Sequence, residues 1–117
     1  LTGHTYSVHS VCISVDKRWL VSGSWDKTMK IWSMTDYSCM HTLTGHRYPL
    51  FSVSVSPDSR YVVSGSSDKT IKVWRTSDWT CVKILTGHSE GVNSLCYYPD
   101  GSRLVSGSWD ETLMVWK

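Results

Sequence analysis

No window of this 117-residue chain carries apolar residues at helical spacing, so an α-helical or mixed fold is not expected. Nor does any apolar run approach the roughly 18 residues that a membrane-spanning helix needs, and no basic stretch followed by an apolar one marks a signal peptide. No membrane partner is therefore expected. Charge runs are missing too: the formal net charge is +2 and the cations stand singly among acids and hydroxyls, which argues against a dedicated nucleic-acid binder. The four cysteines, Cys12, Cys39, Cys81 and Cys96, form no Cys-x-x-Cys pair. No His/Cys spacing fits zinc and no glycine-rich loop fits a phosphate, so neither a metal nor a cofactor is expected. Buried thiols in a reducing compartment explain the cysteines better than disulfides, which points to an intracellular protein, cytoplasmic or nuclear.

What the chain does have is strand-forming chemistry. Val, Ser, Thr, Trp and Tyr dominate, and there are seven Trp against one Phe. It also has a repeat. Leu-Thr-Gly-His stands at Leu1–His4, Leu43–His46 and Leu85–His88, 42 residues apart each time. Val-Ser-Gly-Ser follows in fixed register at Val21–Ser24, Val63–Ser66 and Val105–Ser108. Asp26, Asp68 and Asp110 come two residues later, and Trp32, Trp74 and Trp116 six residues after those. The repeats are 1–42, 43–84 and 85–117.

Each copy reads as short strands parted by turns. Strand a holds Val11, Ile13 and Val15, then Val53 with Val55, then Leu95 with Tyr97. Asp16-Lys17, Pro57-Asp58-Ser59 and Pro99-Asp100-Gly101 supply turns. Strand b covers Trp19–Ser24, Tyr61–Ser66 and Arg103–Ser108, and strand c covers Met29–Trp32, Ile71–Trp74 and Leu113–Trp116. Strand d fits Cys39–Leu43 and Cys81–Leu85, with no counterpart in the third repeat.

The order Gly-His, Ser-Gly-Ser-x-Asp, then Trp resembles the WD-repeat family along the whole chain. The strand c Trp is followed by Ser33, Arg75 and Lys117 rather than by the Asp that names the family, Met114 replaces the Lys seen at Lys30 and Lys72, and the first repeat lacks the turn proline. The resemblance implies an all-β fold: three four-stranded antiparallel β-propeller blades, the third without its outer strand, forming part of a larger ring.

His, Ser and Asp recurring together suggest a hydrolase triad, but a triad needs one nucleophile in one cleft. Three sets in identical register mean that each serves its own repeat. The resemblance implies that His4, Ser22, Asp26 and Trp32 form a structural hydrogen-bond network, as do His46, Ser64, Asp68 and Trp74, and His88, Ser106, Asp110 and Trp116. No catalytic residue is expected. Partners in this family usually dock where the d–a loops and b–c turns meet. The residue before each turn Asp is Trp25, Ser67 or Trp109, and the residues three and five beyond each histidine are Ser7 and His9, Pro49 and Phe51, Gly91 and Asn93. These positions vary between copies, as an asymmetric binding surface requires. Trp25, Trp109, Ser67, His9, Phe51 and Asn93 are the candidate protein-binding residues, with Tyr6 and Tyr48 behind them.

The expected function is therefore a non-catalytic interaction scaffold that presents a face to proteins or peptides within a larger complex. The alternatives are nucleic-acid binding through Arg47, Arg60, Arg75 and Lys83, or an enzyme using the central channel. Three blades do not close a ring, so further blades are expected as partners. They would come from a longer parent chain or from copies of this one, two giving six blades or three giving nine.

Overall fold

The computed structural model describes residues 1–117, and all regular structure in it is β. Eleven strands form three antiparallel sheets, one per repeat. Blade 1 comprises β1 (Val8–Ile13), β2 (Trp19–Ser24), β3 (Met29–Ser33) and β4 (Cys39–Leu43). Blade 2 comprises β5 (Leu50–Val55), β6 (Tyr61–Ser66), β7 (Ile71–Arg75) and β8 (Thr80–Leu85). Blade 3 has β9 (Val92–Tyr97), β10 (Leu104–Ser108) and β11 (Leu113–Trp116). Strands pair in chain order within each sheet, so every connection is a turn between neighbours. The expected strands stand with small shifts at their ends. Val15 falls beyond β1, in the turn, where the Ser14 and Asp16 side chains fold the chain back.

The core lies between blades. Trp19, Val21, Met29 and Ile31 of blade 1 pack against Leu50, Val53, Val55 and Val62 of blade 2. Val63 and Ile71 of blade 2 pack against Val92, Leu95 and Leu104 of blade 3. Burying each such aliphatic side chain stabilises the fold by about 2 kcal/mol. The central glycine of Ser-Gly-Ser sets the spacing between blades. A Cβ on Gly23 would come within 2.9 Å of Val53 Cγ1, and one on Gly65 within 2.8 Å of Val92 Cγ1. Across each interface the Oγ of a strand a serine accepts from the next blade: Val53 N–H reaches Ser10 at 3.2 Å, and Leu95 N–H reaches Ser52 at 3.1 Å.

Two faces stay open. Val11 is 62% exposed where its equivalents Val53 and Leu95 are 5% and 8% exposed. At the other end Leu113 is 76% exposed, whereas Met29 and Ile71 are buried. The side chains are as apolar as their counterparts and lack only a neighbouring blade. Burial of the cysteines is overturned: Cys39, Cys81 and Cys96 are exposed and Cys12 is half-buried, all as free thiols. Cys39 and Cys81 lie on the outermost strands, β4 and β8, where no further strand covers them, and Cys96 lies in the blade whose far side is open.

Within each blade a polar chain joins the loop before strand a to the turn after strand b. Trp74 Nε1–H donates to Ser64 Oγ (3.0 Å), the Ser64 hydroxyl donates to His46 Nε2 (2.7 Å), and His46 Nδ1–H donates to Asp68 Oδ2 (2.8 Å). In this direction every polar atom has a partner. Blade 1 repeats the chain through Trp32, Ser22, His4 and Asp26, and blade 3 through Trp116, Ser106, His88 and Asp110. The other carboxylate oxygen accepts from the backbone and hydroxyl of the threonine two residues on, Thr28, Thr70 or Thr112. That threonine recurs in the sequence yet was not among the residues expected in the network. Burial pushes the Asp26 carboxyl up, but the Thr28 hydroxyl, the His4 ring and the backbone N–H groups of Thr28 and Thr5 outweigh it and hold the value at about 2. Asp68 and Asp110 are lowered by the equivalent threonines and histidines against the same opposing burial.

Four outcomes follow for unfolding, three for substitutions and one for pH. Asp68→Ala strands the His46 and Thr70 donors and costs about 3 kcal/mol, whereas Ser64→Ala costs about 1–2 kcal/mol. Gly65→Ala destabilises by about 2 kcal/mol through overpacking against Val92. Because the aspartate values lie below the ordinary 3.8, their contribution is complete above about pH 4 and is lost as pH falls through about 2. A melting temperature equal at neutral pH and at about pH 2.5 would contradict it.

Candidate functional site

The loop before strand a and the b–c turn meet at one end of every blade. The second serine of Ser-Gly-Ser clamps them: Ser24 Oγ–H donates to Ser7 O, Ser66 to Pro49 O and Ser108 to Gly91 O, each at 2.9 Å. The same hydroxyls accept from the N–H of Asp26, Asp68 and Asp110. Backbone bonds from Trp25 N–H to Ser7 O and from Trp109 N–H to Gly91 O complete the clamp. Residues 25 and 109 are thus fixed at the backbone while their side chains project from the turn. The residue after each Asp, Lys27, Lys69 or Glu111, takes a left-handed conformation with φ near 70°: 74°, 74° and 69°.

The side chains on this end gather into one aromatic depression of about 530 Å³, lined by His9, Trp25, Pro49, Phe51, Asn93 and Trp109. His9 stacks on Trp25 with ring centroids 4.9 Å apart and planes 21° from parallel. Phe51 stands nearly perpendicular to both, at 5.4 Å from His9 and 6.3 Å from Trp25. It also meets Trp109 at 4.9 Å. One phenyl ring from blade 2 therefore touches aromatic rings of all the other blades. Phe51 is half-buried, whereas Trp25 is 41% and Trp109 57% exposed. Edge-to-face contacts of this kind add about 1 kcal/mol per pair beyond area burial and hold the rings in place.

Five of the six candidate binding residues line this depression. Ser67 does not; it lies beneath Gly91, whose added Cβ would meet Ser67 Cα at 3.0 Å. Pro49 does line it, and was named in the sequence only as an equivalent position, not as a candidate. Tyr6 and Tyr48 are exposed outside it. No carboxylate lines the depression, and the His4, His46 and His88 rings are tied up within their own blades. A nucleophile with a free base is absent from it. No group of three or more His, Cys, Asp or Glu side chains is placed to hold a metal ion.

Of the cations considered for nucleic acid, Arg47 stands apart from Arg60 and Arg75. Arg47 precedes β5, while Arg60 and Arg75 lie at the opposite end of the blade, and Arg75 pairs with Asp78. Near that opposite end a groove of about 390 Å³ runs between blades 2 and 3, past Tyr61, Lys83, Tyr97, Arg103 and Trp116. Burial, with Asp58 and Tyr61 nearby, pushes the Tyr97 phenol up to about 12. Between blades 1 and 2 the equivalent space is occupied by Trp79, edge-on to Trp19 at 5.3 Å. No helix is long and apolar enough to cross a membrane.

The chain resembles known proteins in stretches. It is 42% identical over 41 residues (35% of its length) to the small ribosomal subunit protein RACK1 of Schizosaccharomyces pombe. Over 34 residues (29%) it is 50% identical to RACK1 of Caenorhabditis elegans and 47% identical to the pre-mRNA-splicing factor PRP46 of Yarrowia lipolytica. Those stretches span 13%, 10% and 8% of the relatives' own lengths. The family model of the WD domain, G-beta repeat, matches residues 1–33, 37–75 and 79–117. With three matches covering nearly the whole sequence and three antiparallel blades in one register, the chain belongs to the WD40 repeat family.

Proposed function

We propose that this chain is a non-catalytic, intracellular interaction scaffold whose partner sits in the depression around Phe51. The observation that carries this reading is the convergence of His9, Trp25, Phe51 and Trp109, from three blades, on one open cavity. Exposed aromatic rings held rigid by a polar backbone clamp resemble the anchors that dominate protein interfaces. The named relatives are ribosomal and splicing proteins, which agrees with work inside large assemblies.

The open blade faces support a second element of the same reading: they seat further blades. Ser94 occupies the register of Ser10 and Ser52, which each accept an N–H from the next blade. Gly107 occupies the register of Gly23 and Gly65, yet an added Cβ there meets nothing closer than 3.5 Å. The apolar side chains at both open faces match those buried at the two internal interfaces.

Two experiments test these proposals. Capture of partners from cell extract with the intact chain is expected to be lost in the Trp25→Ala/Trp109→Ala variant, at a melting temperature within a few degrees of the original; unchanged capture would remove the depression from the mechanism. In solution the chain is expected to self-associate through its open faces, and Gly107→Ala to weaken that association. A monodisperse monomer of 13.3 kDa, indifferent to Gly107→Ala, would overturn the second element.

A further inference from the structure

The lining of the depression holds no carboxylate, lysine or arginine, but its surroundings are not symmetric. In each blade the backbones of two flanking residues are bonded to the clamp serine. In blade 3, Ser108 Oγ–H donates to Glu90 O and Glu111 N–H donates to Ser108 O, both at 3.2 Å. The same bonds hold Tyr6 and Lys27 around Ser24 in blade 1, and Tyr48 and Lys69 around Ser66 in blade 2. Architecture is thus constant while charge is not. Counting these two positions with the residue after each network histidine (Thr5, Arg47, Ser89), the rims carry +1, +2 and −2. The sign reverses at Trp109, the more exposed of the two indoles.

Glu90 and Glu111 are both exposed, and neither takes part in an ion pair. Beneath the same turn the Asp110 carboxyl, held down mainly by the Thr112 hydroxyl, adds negative charge. Glu90 precedes Gly91, whose carbonyl accepts the Trp109 N–H, and Glu111 ends the turn that carries Trp109. Both acidic residues thus stand on the backbone that frames the indole, whose negative face attracts a cation. Asn93, on the same wall, offers an amide oxygen. On the blade 1 side, Lys27, two residues after Trp25, disfavours a second cation.

From this we infer that the occupant is a segment of a partner protein that lays a lysine or arginine side chain over Trp109, between Glu90 and Glu111, and an apolar side chain against Phe51 and Trp25. This rests on the aromatic depression being the binding site, and it adds the partner's chemistry and direction. Cation–π contact and two exposed carboxylates reinforce one another where neither alone selects strongly.

A displayed random peptide library panned on the full chain tests it. Lysine or arginine beside an apolar residue is expected to be enriched. A selected basic peptide, labelled and titrated, should bind Glu90→Lys/Glu111→Lys about tenfold more weakly, with the difference shrinking between about 50 mM and about 500 mM salt as exposed charges are screened. Its binding should be lost in Trp109→Ala, and both variants should melt within a few degrees of the original. Enriched peptides without basic residues that still need Trp25 and Trp109 would overturn this inference and leave the face standing. Peptides indifferent to both tryptophans, or no enrichment at all, would overturn both.

Discussion

The contact on which the rest depends is the short bond between an aspartate and a histidine 22 residues earlier in the chain, made once in every blade. It fastens the loop entering a blade to the turn halfway through it. The aspartate stays ionised because threonine and backbone donors outweigh its burial, and the histidine is oriented because its second nitrogen meets a serine. Both loops are irregular, and without this bond their buried polar groups would have to find water. With it they form a platform fixed to within a hydrogen bond of every projecting side chain. Trp25 and Trp109 stand one residue from the aspartates, and His9 and Phe51 stand five beyond the histidines. The backbone that carries the face is thus held from the interior.

Between blades the governing constraint is steric rather than polar. A glycine in strand b lets the next blade's valine approach closely, and the pair repeats at both interfaces. This makes the interaction directional: each blade offers a glycine side to one neighbour and an aliphatic strand a to the other. Such head-to-tail contacts close into a ring where the rotation between blades allows it and otherwise stay open. The depression depends on this stacking, because Phe51, Trp25 and Trp109 belong to different blades and meet only when the blades are set at the glycine spacing. Stability and site geometry therefore share one cause.

Much of this was legible in the sequence because a repeat supplies its own internal comparison. Positions identical in every copy (His, Ser, Asp, Trp) are those the structure joins by hydrogen bonds, and the candidate anchors came from positions that differ. What escaped were features that depend on neighbours rather than on register. Whether a cysteine on an outer strand is buried depends on what covers that strand, so Cys39 and Cys81 looked like core residues and lie exposed. Ser67 matches Trp25 and Trp109 in register, but its small side chain is tucked under Gly91. Thr28, Thr70 and Thr112 were visible as a recurring residue, yet nothing in the spacing alone said that their hydroxyls would reach the aspartate.

Constancy of the frame also gives the charge reversal at blade 3 its meaning. If the glutamates were holding the fold together, their positions would carry acids in the other blades as well; instead those blades place tyrosine and lysine on the same backbone bonds. The fold is indifferent to which side chain stands there. Surface charges of this kind contribute little to stability, but they bias which partner approaches and in which direction. A face whose floor is aromatic, and whose rim turns from basic to acidic over three otherwise equivalent blades, would distinguish the two ends of the partner segment we propose for it. Specificity here does not require a departure from the repeat; it requires only that the repeat leave those positions free.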